Sequence, residues 1–140
     1  MNYLVADFET SSSAVNHLSL LQGAFCLFDE RFRELERLDF RCRIRPTVVP
    51  SIGALLVNKV KVETLKGANL SHYEAVMQIH QFLNKLGPVV VLGHNIISFD
   101  MEVYIRQLYK NLIPDVYHLK KLPNKIIDTL NIARAAKLVD

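Results

Sequence analysis

The sequence predicts an α/β domain built on a mixed sheet. Three strand-like segments come first, and helices then alternate with strands, an order typical of a sheet with antiparallel and parallel pairs. The chain has 140 residues, half of them hydrophobic, which suffices for one core and is too short for two domains. We therefore expect residues 1–140 to form a single domain.

The first three segments are predicted strands over residues 2–8, 20–28 and 35–45. The short polar turn over 29–31 joins the second and third as an antiparallel hairpin. Pro46 ends the third strand, because proline cannot donate a hydrogen bond to the ladder.

Helical signals dominate the middle of the chain. A short apolar helix is predicted over 51–57, and a longer one begins at Ser71, where the pattern Ser71-x-x-Glu74 forms a capping box. Apolar residues follow at helical spacing until Gly87, a typical helix end.

The last third alternates strand and helix. The β-branched run over 89–93 predicts a central strand, and an amphipathic pattern predicts a helix over 99–111. A final strand over 125–127 leads into a helix from about Asp128. This order of elements resembles a ribonuclease H-like fold.

Two acidic residues flank a phenylalanine at the end of the first strand. Because strand side chains alternate between faces, Asp7 and Glu9 are expected on one face and Phe8 in the core on the other. Two close carboxylates repel each other unless a cation lies between them, and Mg²⁺ or Mn²⁺ prefers oxygen ligands. Taken alone, such a pair is more often two solvated acids at the surface.

A second segment, LGHNIISFDMEVY over 92–104, leaves the central strand and enters a helix at Asp100. A carboxylate in the first helical turn interacts favourably with the exposed amides and the helix dipole, so we expect Asp100 to stay ionised. Taken alone, Asn95 is equally consistent with a turn residue and Phe99 with a core residue.

Together the two segments resemble the DEDD, or DnaQ-like, superfamily of 3′→5′ exonucleases. Its first acidic motif matches DFET at 7–10, and its second, an Asn followed by Phe-Asp, matches Asn95 and the pair at 99–100. Within this superfamily the chain is most similar to the bacterial exonuclease I family, which degrades single-stranded DNA. The likeness extends through residues 92–103 to Tyr109, Asn111 and 115–117, and it also covers 50–57 and 126–135.

The resemblance implies a metal-dependent exonuclease that releases nucleotides from single-stranded DNA by two-metal phosphodiester hydrolysis. It implies that Asp7, Glu9 and Asp100 are catalytic and hold two Mg²⁺ or Mn²⁺ ions. The residues that it implies for holding the terminal nucleotide are Thr10, Ala54, Leu55, Asn95 and Phe99. An RNA substrate stays open, because contacts to a 2′-hydroxyl cannot be read from this sequence.

The superfamily's third motif, a His or Tyr followed by Asp about four residues later, is not found after Asp128. That motif supplies a fourth acid and the general base from a closing helix. Neither Asp128 nor Asp140 is a convincing substitute for the acid, and His118 is misplaced for the base. We therefore expect a truncated exonuclease domain without the C-terminal helix, inactive or weakly active alone. The face that the helix leaves uncovered would favour self-association. The competing hypothesis is a non-catalytic nucleic-acid- or protein-binding module with the same fold.

Charge and composition indicate which partners and which cell compartment to expect. The net charge of +3 permits a nucleic-acid partner without demonstrating one. No apolar run approaches the ~20 residues of a membrane span, and no signal peptide is evident, so we expect a cytoplasmic protein.

Basic residues offer a further candidate surface. The arginines at 41, 43 and 45 alternate along the predicted third strand and would share one face, either as a solvated surface or as a phosphate track. Lys59, Lys61 and Lys66 follow the short helix and are candidates for contacts with a nucleic-acid backbone.

Overall fold

The computed structural model describes residues 1–114 and 125–139. Its strands are β1 (Asn2–Thr10), β2 (Leu20–Phe28), β3 (Glu34–Arg41), β4 (Val89–Gly93) and β5 (Lys125–Asp128). They form a five-stranded sheet in the order β3-β2-β1-β4-β5. β2 pairs antiparallel with β1 and β3, whereas β4 pairs parallel with β1 and β5. The predicted mixed sheet is confirmed.

The helices are α1 (Ile52–Asn58), α2 (Val62–Gly67), α3 (His72–Asn84), α4 (Asp100–Lys110) and α5 (Thr129–Ala135). The predicted capping box starts α3: the Glu74 amide donates to Ser71 Oγ at 3.2 Å, and the Ser71 amide donates to Glu74 Oε2 at 2.7 Å. α2 was not predicted, and its N-cap residue, Lys61, makes no side-chain capping bond. Capping side chains are a main sequence signal of a helix start, so a six-residue helix without one is not predicted from the sequence.

β3 ends earlier than predicted, at Arg41 and not at residue 45. Beyond it, Cys42 forms an isolated parallel bridge with Leu70, and the Arg43 amide donates to the Leu70 carbonyl at 2.9 Å. The chain therefore leaves the β3 ladder and pairs with the segment before α3. As a consequence, Arg43 and Arg45 do not continue the sheet face that carries Arg41.

α3 and α4 cover one face of the sheet and form the core with it. On this face β1 presents Leu4, Ala6 and Phe8, all buried. The ring of Phe8 makes edge contacts with Phe25 and Phe40, at centroid distances of 5.5 and 6.2 Å. Since burying a large apolar side chain stabilises the fold by roughly 1.5–3 kcal/mol, this contact fixes the end of β1 firmly.

The opposite face of the sheet carries a row of aligned apolar residues. The register places Val5 beside Leu92 and Leu92 beside Ile127. Val5 and Ile127 are 39% and 36% exposed, so no helix among the described residues covers this row. Self-association through this face stays a prediction.

Two observations concern membrane-spanning helices and the cysteines. Residues 1–114 and 125–139 contain no helix that is long and apolar enough to cross a bilayer. Cys26 and Cys42 are both free thiols, and Cys42 is buried whereas Cys26 is half-buried.

Gly23 provides a test of the core beside β1. A Cβ atom at this position would lie 2.5 Å from Phe8 Cδ1 and 2.8 Å from Phe40 Cζ. We therefore expect Gly23→Ala to lower the free energy of unfolding by about 1–3 kcal/mol through overpacking, measured by urea denaturation. The control is Gly87→Ala, where a Cβ meets nothing within 4 Å and the change should stay within about 0.5 kcal/mol. Equal losses in the two variants would contradict this account of the core.

Candidate active site

At the end of β1, the two acids and the phenylalanine lie on opposite faces of the sheet. Asp7 is exposed and Glu9 half-buried on the open face, whereas Phe8 points into the core. The register shifts between Glu9, which pairs with Gln22, and Thr10, which pairs with Leu20. This irregularity ends the regular ladder directly after the acid pair. The predicted alternation of faces is confirmed.

Asp100, the first residue of α4, contacts the same point of β1. Its side chain is 5% exposed, and its Oδ1 accepts a hydrogen bond of 2.9 Å from the Phe8 amide. Because Phe8 lies between Asp7 and Glu9 in the chain, this bond places the third predicted carboxylate beside the acid pair.

The environment raises the pKa values of two of these acids. Burial raises the pKa of Asp100 to about 6; the Phe8 amide opposes this shift, and the charge of Asp7 adds to it. Burial and then the charge of Asp7 also raise the pKa of Glu9. Burial thus opposes the ionised form that we expect at a helix start, although a pKa of about 6 leaves the Asp100 carboxylate ionised near neutral pH. Each of these shifts favours a nearby cation, which would stabilise the ionised forms.

The chemistry of these donors suits a hard divalent ion, because all three offer carboxylate oxygens. Asp100, however, commits Oδ1 to the Phe8 amide. Within residues 1–114 and 125–139, no three His, Cys, Asp or Glu side chains lie close enough to hold a metal ion together. The carboxylates are therefore the right type of ligand for such an ion, but they are not arranged around one. Their assignment as metal ligands stays a prediction.

A hollow of about 460 Å³, here called the acidic hollow, lies on the open face over Asp7 and Glu9. The register aligns Glu9, Gln22 and Arg41 across three strands. Arg41 Nε and Nη2 donate to Gln22 Oε1 at 3.2 and 3.0 Å. A guanidinium is thus held on the far side of the same hollow as the acid pair.

A second hollow of about 380 Å³, here called the α1 hollow, lies between the end of β1 and α1. Glu9 lines both hollows, so the α1 hollow opens directly beside the acid pair. Three of the predicted nucleotide-binding residues line it, namely Thr10, Ala54 and Phe99.

Hydrogen bonds hold α1 against the chain that follows β1. The Ser51 amide donates to the Ser11 carbonyl at 2.8 Å, and Asn58 Nδ2 donates to the Thr10 carbonyl at 3.0 Å. Ser51 Oγ also caps α1 by accepting from the Ala54 amide at 3.1 Å. The wall of the α1 hollow is therefore set by polar contacts at both ends of the helix.

The chain is similar to known proteins over most of its length. No family model matches the chain. The chain is 25% identical over 136 residues to exodeoxyribonuclease I of Buchnera aphidicola subsp. Schizaphis graminum, a match that covers 96% of this chain and 28% of that protein. E. coli exonuclease I in complex with a dA16 oligonucleotide superposes with a TM-score of 0.85, at 24% identity, over 97% of this chain and 30% of that chain.

The zinc-bound form of E. coli exonuclease I with single-stranded DNA matches similarly, with a TM-score of 0.84 and 24% identity over 97% of this chain and 29% of that chain. The chain has the fold of exonuclease I. The resemblance to DnaQ-like exonucleases and the ribonuclease H-like α/β fold are thereby confirmed, and the match lies in the N-terminal part of exonuclease I. The chain spans less than a third of the length of these relatives.

Two other predicted nucleotide-binding residues do not line the α1 hollow of this exonuclease I fold. Asn95 adopts a left-handed conformation, with φ of 58°, and its carbonyl accepts from the Phe99 amide at 2.9 Å. The Leu55 carbonyl accepts from the Lys59 and Val60 amides at the end of α1. In the structure both residues therefore shape turns, and their contact with a nucleotide stays a prediction.

Asp128 has a role that sequence reasoning missed. Its Oδ1 accepts from the Asn95 amide at 2.9 Å and from the Leu130 amide at 3.0 Å, and its Oδ2 accepts from the Ile97 amide at 3.1 Å. Burial alone would raise the pKa of Asp128, but the backbone hydrogen bonds outweigh it and lower that pKa. Asp128 thus holds the loop that leads to Asp100.

The feature that could have indicated this role is the position of Asp128 at the carboxyl end of β5. This strand is parallel to β4, which in turn is parallel to β1. Three further residues or stretches named from the sequence, namely 115–117, His118 and Asp140, lie outside the described residues.

Isosteric amides at the two buried aspartates should act in opposite directions. In EDTA near neutral pH, Asp100→Asn should raise the free energy of unfolding by up to about 3 kcal/mol, because the wild-type carboxylate is ionised in a site that disfavours its charge. The amide oxygen can still accept from Phe8. Asp128→Asn should lower the free energy of unfolding by about 1–3 kcal/mol, because its NH₂ group would face a backbone donor.

The pH dependence follows from the pKa of Asp100, which is about 6 in the fold against an ordinary value of 3.8. Between these values the folded state binds a proton that the unfolded state releases, so this group makes stability fall as pH rises. The advantage of Asp100→Asn should therefore vanish near pH 4, measured by urea denaturation across this range. A shift of both variants in the same direction would contradict this description of the site.

Proposed function

We propose that this domain binds the 3′ end of single-stranded DNA and serves metal-dependent 3′→5′ exonuclease chemistry. The observation that carries the proposal is the hydrogen bond from the Phe8 amide to Asp100, which ties the start of α4 to the strand segment that carries Asp7 and Glu9. The complexes of E. coli exonuclease I with a dA16 oligonucleotide and with zinc and single-stranded DNA support it.

Two divalent ions, Mg²⁺ or Mn²⁺, would supply an activated water and stabilise the leaving 3′-oxygen when bound. Asp7 and Glu9 would hold them from the open face of β1, and Asp100 from the start of α4. The raised pKa values of Glu9 and Asp100 support this assignment, because both acids would gain by facing positive charge.

The α1 hollow would hold the terminal nucleotide. Phe99 offers a half-buried ring for stacking, and Thr10 and Ala54 offer wall contacts on either side. Stacking on an aromatic ring tolerates any base, which suits an enzyme that digests strands of any sequence. The hollow lies beside Glu9, so a nucleotide bound there would present its phosphate to the acids.

A second candidate function is a non-catalytic module that binds single strands. The observation that favours it is that no three His, Cys, Asp or Glu side chains within residues 1–114 and 125–139 lie close enough to hold a metal ion together. The two functions differ in product release and not in strand binding.

Metal binding can be tested on the chain directly. Asp7→Asn should weaken Mn²⁺ binding at least about tenfold, because it removes a charged ligand, measured by the loss of free-Mn²⁺ signal in electron paramagnetic resonance. The matched control is Asp39→Asn, since Asp39 lines the same hollow but pairs with Arg37 at 3.8 Å. Equal affinities in Asp7→Asn and the wild type would refute the metal site at β1.

Catalysis needs a separate measurement. We expect Mn²⁺-dependent release of nucleotides from a 3′-labelled single strand to be weak in this chain, and Asp7→Ala should abolish it; robust release that Asp7→Ala abolishes would contradict the expectation of an incomplete domain. Strand binding without release would support the non-catalytic module. Release that persists in Asp7→Ala would contradict the assignment of the acid pair.

A further inference from the structure

A third hollow belongs to neither of the regions discussed above. Its volume is about 750 Å³, and three cations line it, namely Arg43, Arg45 and Lys66. We call it the basic hollow. It adjoins the α1 hollow along the chain, because Pro50 lines the basic hollow and the next residue, Ser51, lines the α1 hollow.

Two of the three cations of the basic hollow are not paired with an acid. Arg45 and Lys66 form no ion pair with any carboxylate in residues 1–114 and 125–139. Burial and then the charge of Arg45 lower the pKa of His72 to about 4, and the same two causes lower the pKa of Lys110. Neighbouring cations thus already repel one another, and a bound anion would relieve that repulsion.

The rest of the lining suits the base and sugar of a nucleotide. Leu65 is buried in its apolar wall, and the ring of Tyr73 is 53% exposed at its edge. His72 is only 8% exposed, its Nδ1 lies 3.3 Å from Asn111 Nδ2, and its Nε2 has no hydrogen-bond partner among the described residues. A stacking face, buried polar groups and a cationic rim therefore occur together in one site.

We propose that the basic hollow binds a nucleotide located upstream of the 3′ end on the strand whose terminus occupies the α1 hollow. Arg45 and Lys66 would contact its phosphates, and Tyr73 would stack on its base. This inference rests on the proposed function. The adjacency of Pro50 and Ser51 supports it, because a strand leaving the α1 hollow would only have to pass the segment before α1.

Arg43 has a different task from the other two cations. Its Nη1 donates to the Ala68 and Asn69 carbonyls at 3.0 and 2.9 Å, and so fixes the chain between α2 and α3. A variant at Arg43 would therefore disturb the walls of the hollow. The sharper test uses Arg45→Gln with Lys66→Gln, for which no such main-chain contact of the side chain is found in the described part of the chain.

The first experiment maps two oligonucleotides on the 140-residue chain by ¹H–¹⁵N correlation spectra. A thymidine dinucleotide should shift signals near Ala54 and Phe99 only. A thymidine dodecamer should shift these and, in addition, the Asn111 side-chain amide and the His72 backbone amide. No shifts with either oligonucleotide would overturn the proposed function. Shifts confined to the α1 hollow with both would overturn the inference alone.

The second experiment measures affinity. Arg45→Gln with Lys66→Gln should weaken dodecamer binding about tenfold and lower the salt slope by roughly 1.4 units, since each phosphate contact on a single strand contributes about 0.7. Dinucleotide binding should not change. The control is Lys125→Gln with Lys137→Gln, two exposed lysines that line none of the three hollows.

Circular dichroism and thermal unfolding would establish that both double variants fold. Equal dodecamer affinities in the two double variants would overturn the inference. So would an acidic peptide that displaces the dodecamer from the basic hollow at equal charge and concentration, because the site would then recognise charge without the nucleotide.

Discussion

The hydrogen bond between the Phe8 amide and the Asp100 carboxylate is the interaction on which the rest of the site depends. β4 pairs with β1 only as far as Val5, because its chain then turns away towards α4. The Phe8 amide would be left without a partner on that side, and a buried backbone donor without a partner is costly. Asp100 supplies the missing acceptor. The same contact that completes the backbone of β1 therefore brings the helix-borne carboxylate to the acid pair.

This arrangement has an energetic cost that other parts of the fold offset. A carboxylate is held in a buried place near another acid, which raises its pKa and disfavours its charge. The charge of Asp128 adds to this shift, but Asp128 is itself stabilised by three backbone hydrogen bonds, two of them from the loop that precedes Asp100. A stabilised carboxylate thus holds the destabilised one in position. Strain concentrated at one group and relieved at a neighbour is typical of functional sites.

Local signals predicted much of the fold and part of the site. The capping box at Ser71 and the facing of Asp7 and Glu9 depend only on nearby residues, so the sequence was sufficient to predict them. Long-range pairing was not legible in the same way. The early end of β3 depends on Cys42 meeting Leu70, and the role of Asp128 depends on β5 lying beside β4. The basic hollow escaped prediction for the same reason, because its cations are assembled from separate segments.

The attachment of α1 has a consequence for how the site could handle a moving substrate. α1 contains no buried residue, and hydrogen bonds to the Ser11 and Thr10 carbonyls fasten its two ends. The acids, in contrast, lie on a central strand anchored by Phe8 in the core. Local opening of α1 should therefore require much less free energy than unfolding of the sheet. The fold combines a strand held firmly in the core with a helix that opens more easily, so a nucleotide bound as we propose would meet a compliant wall beside rigidly held acids.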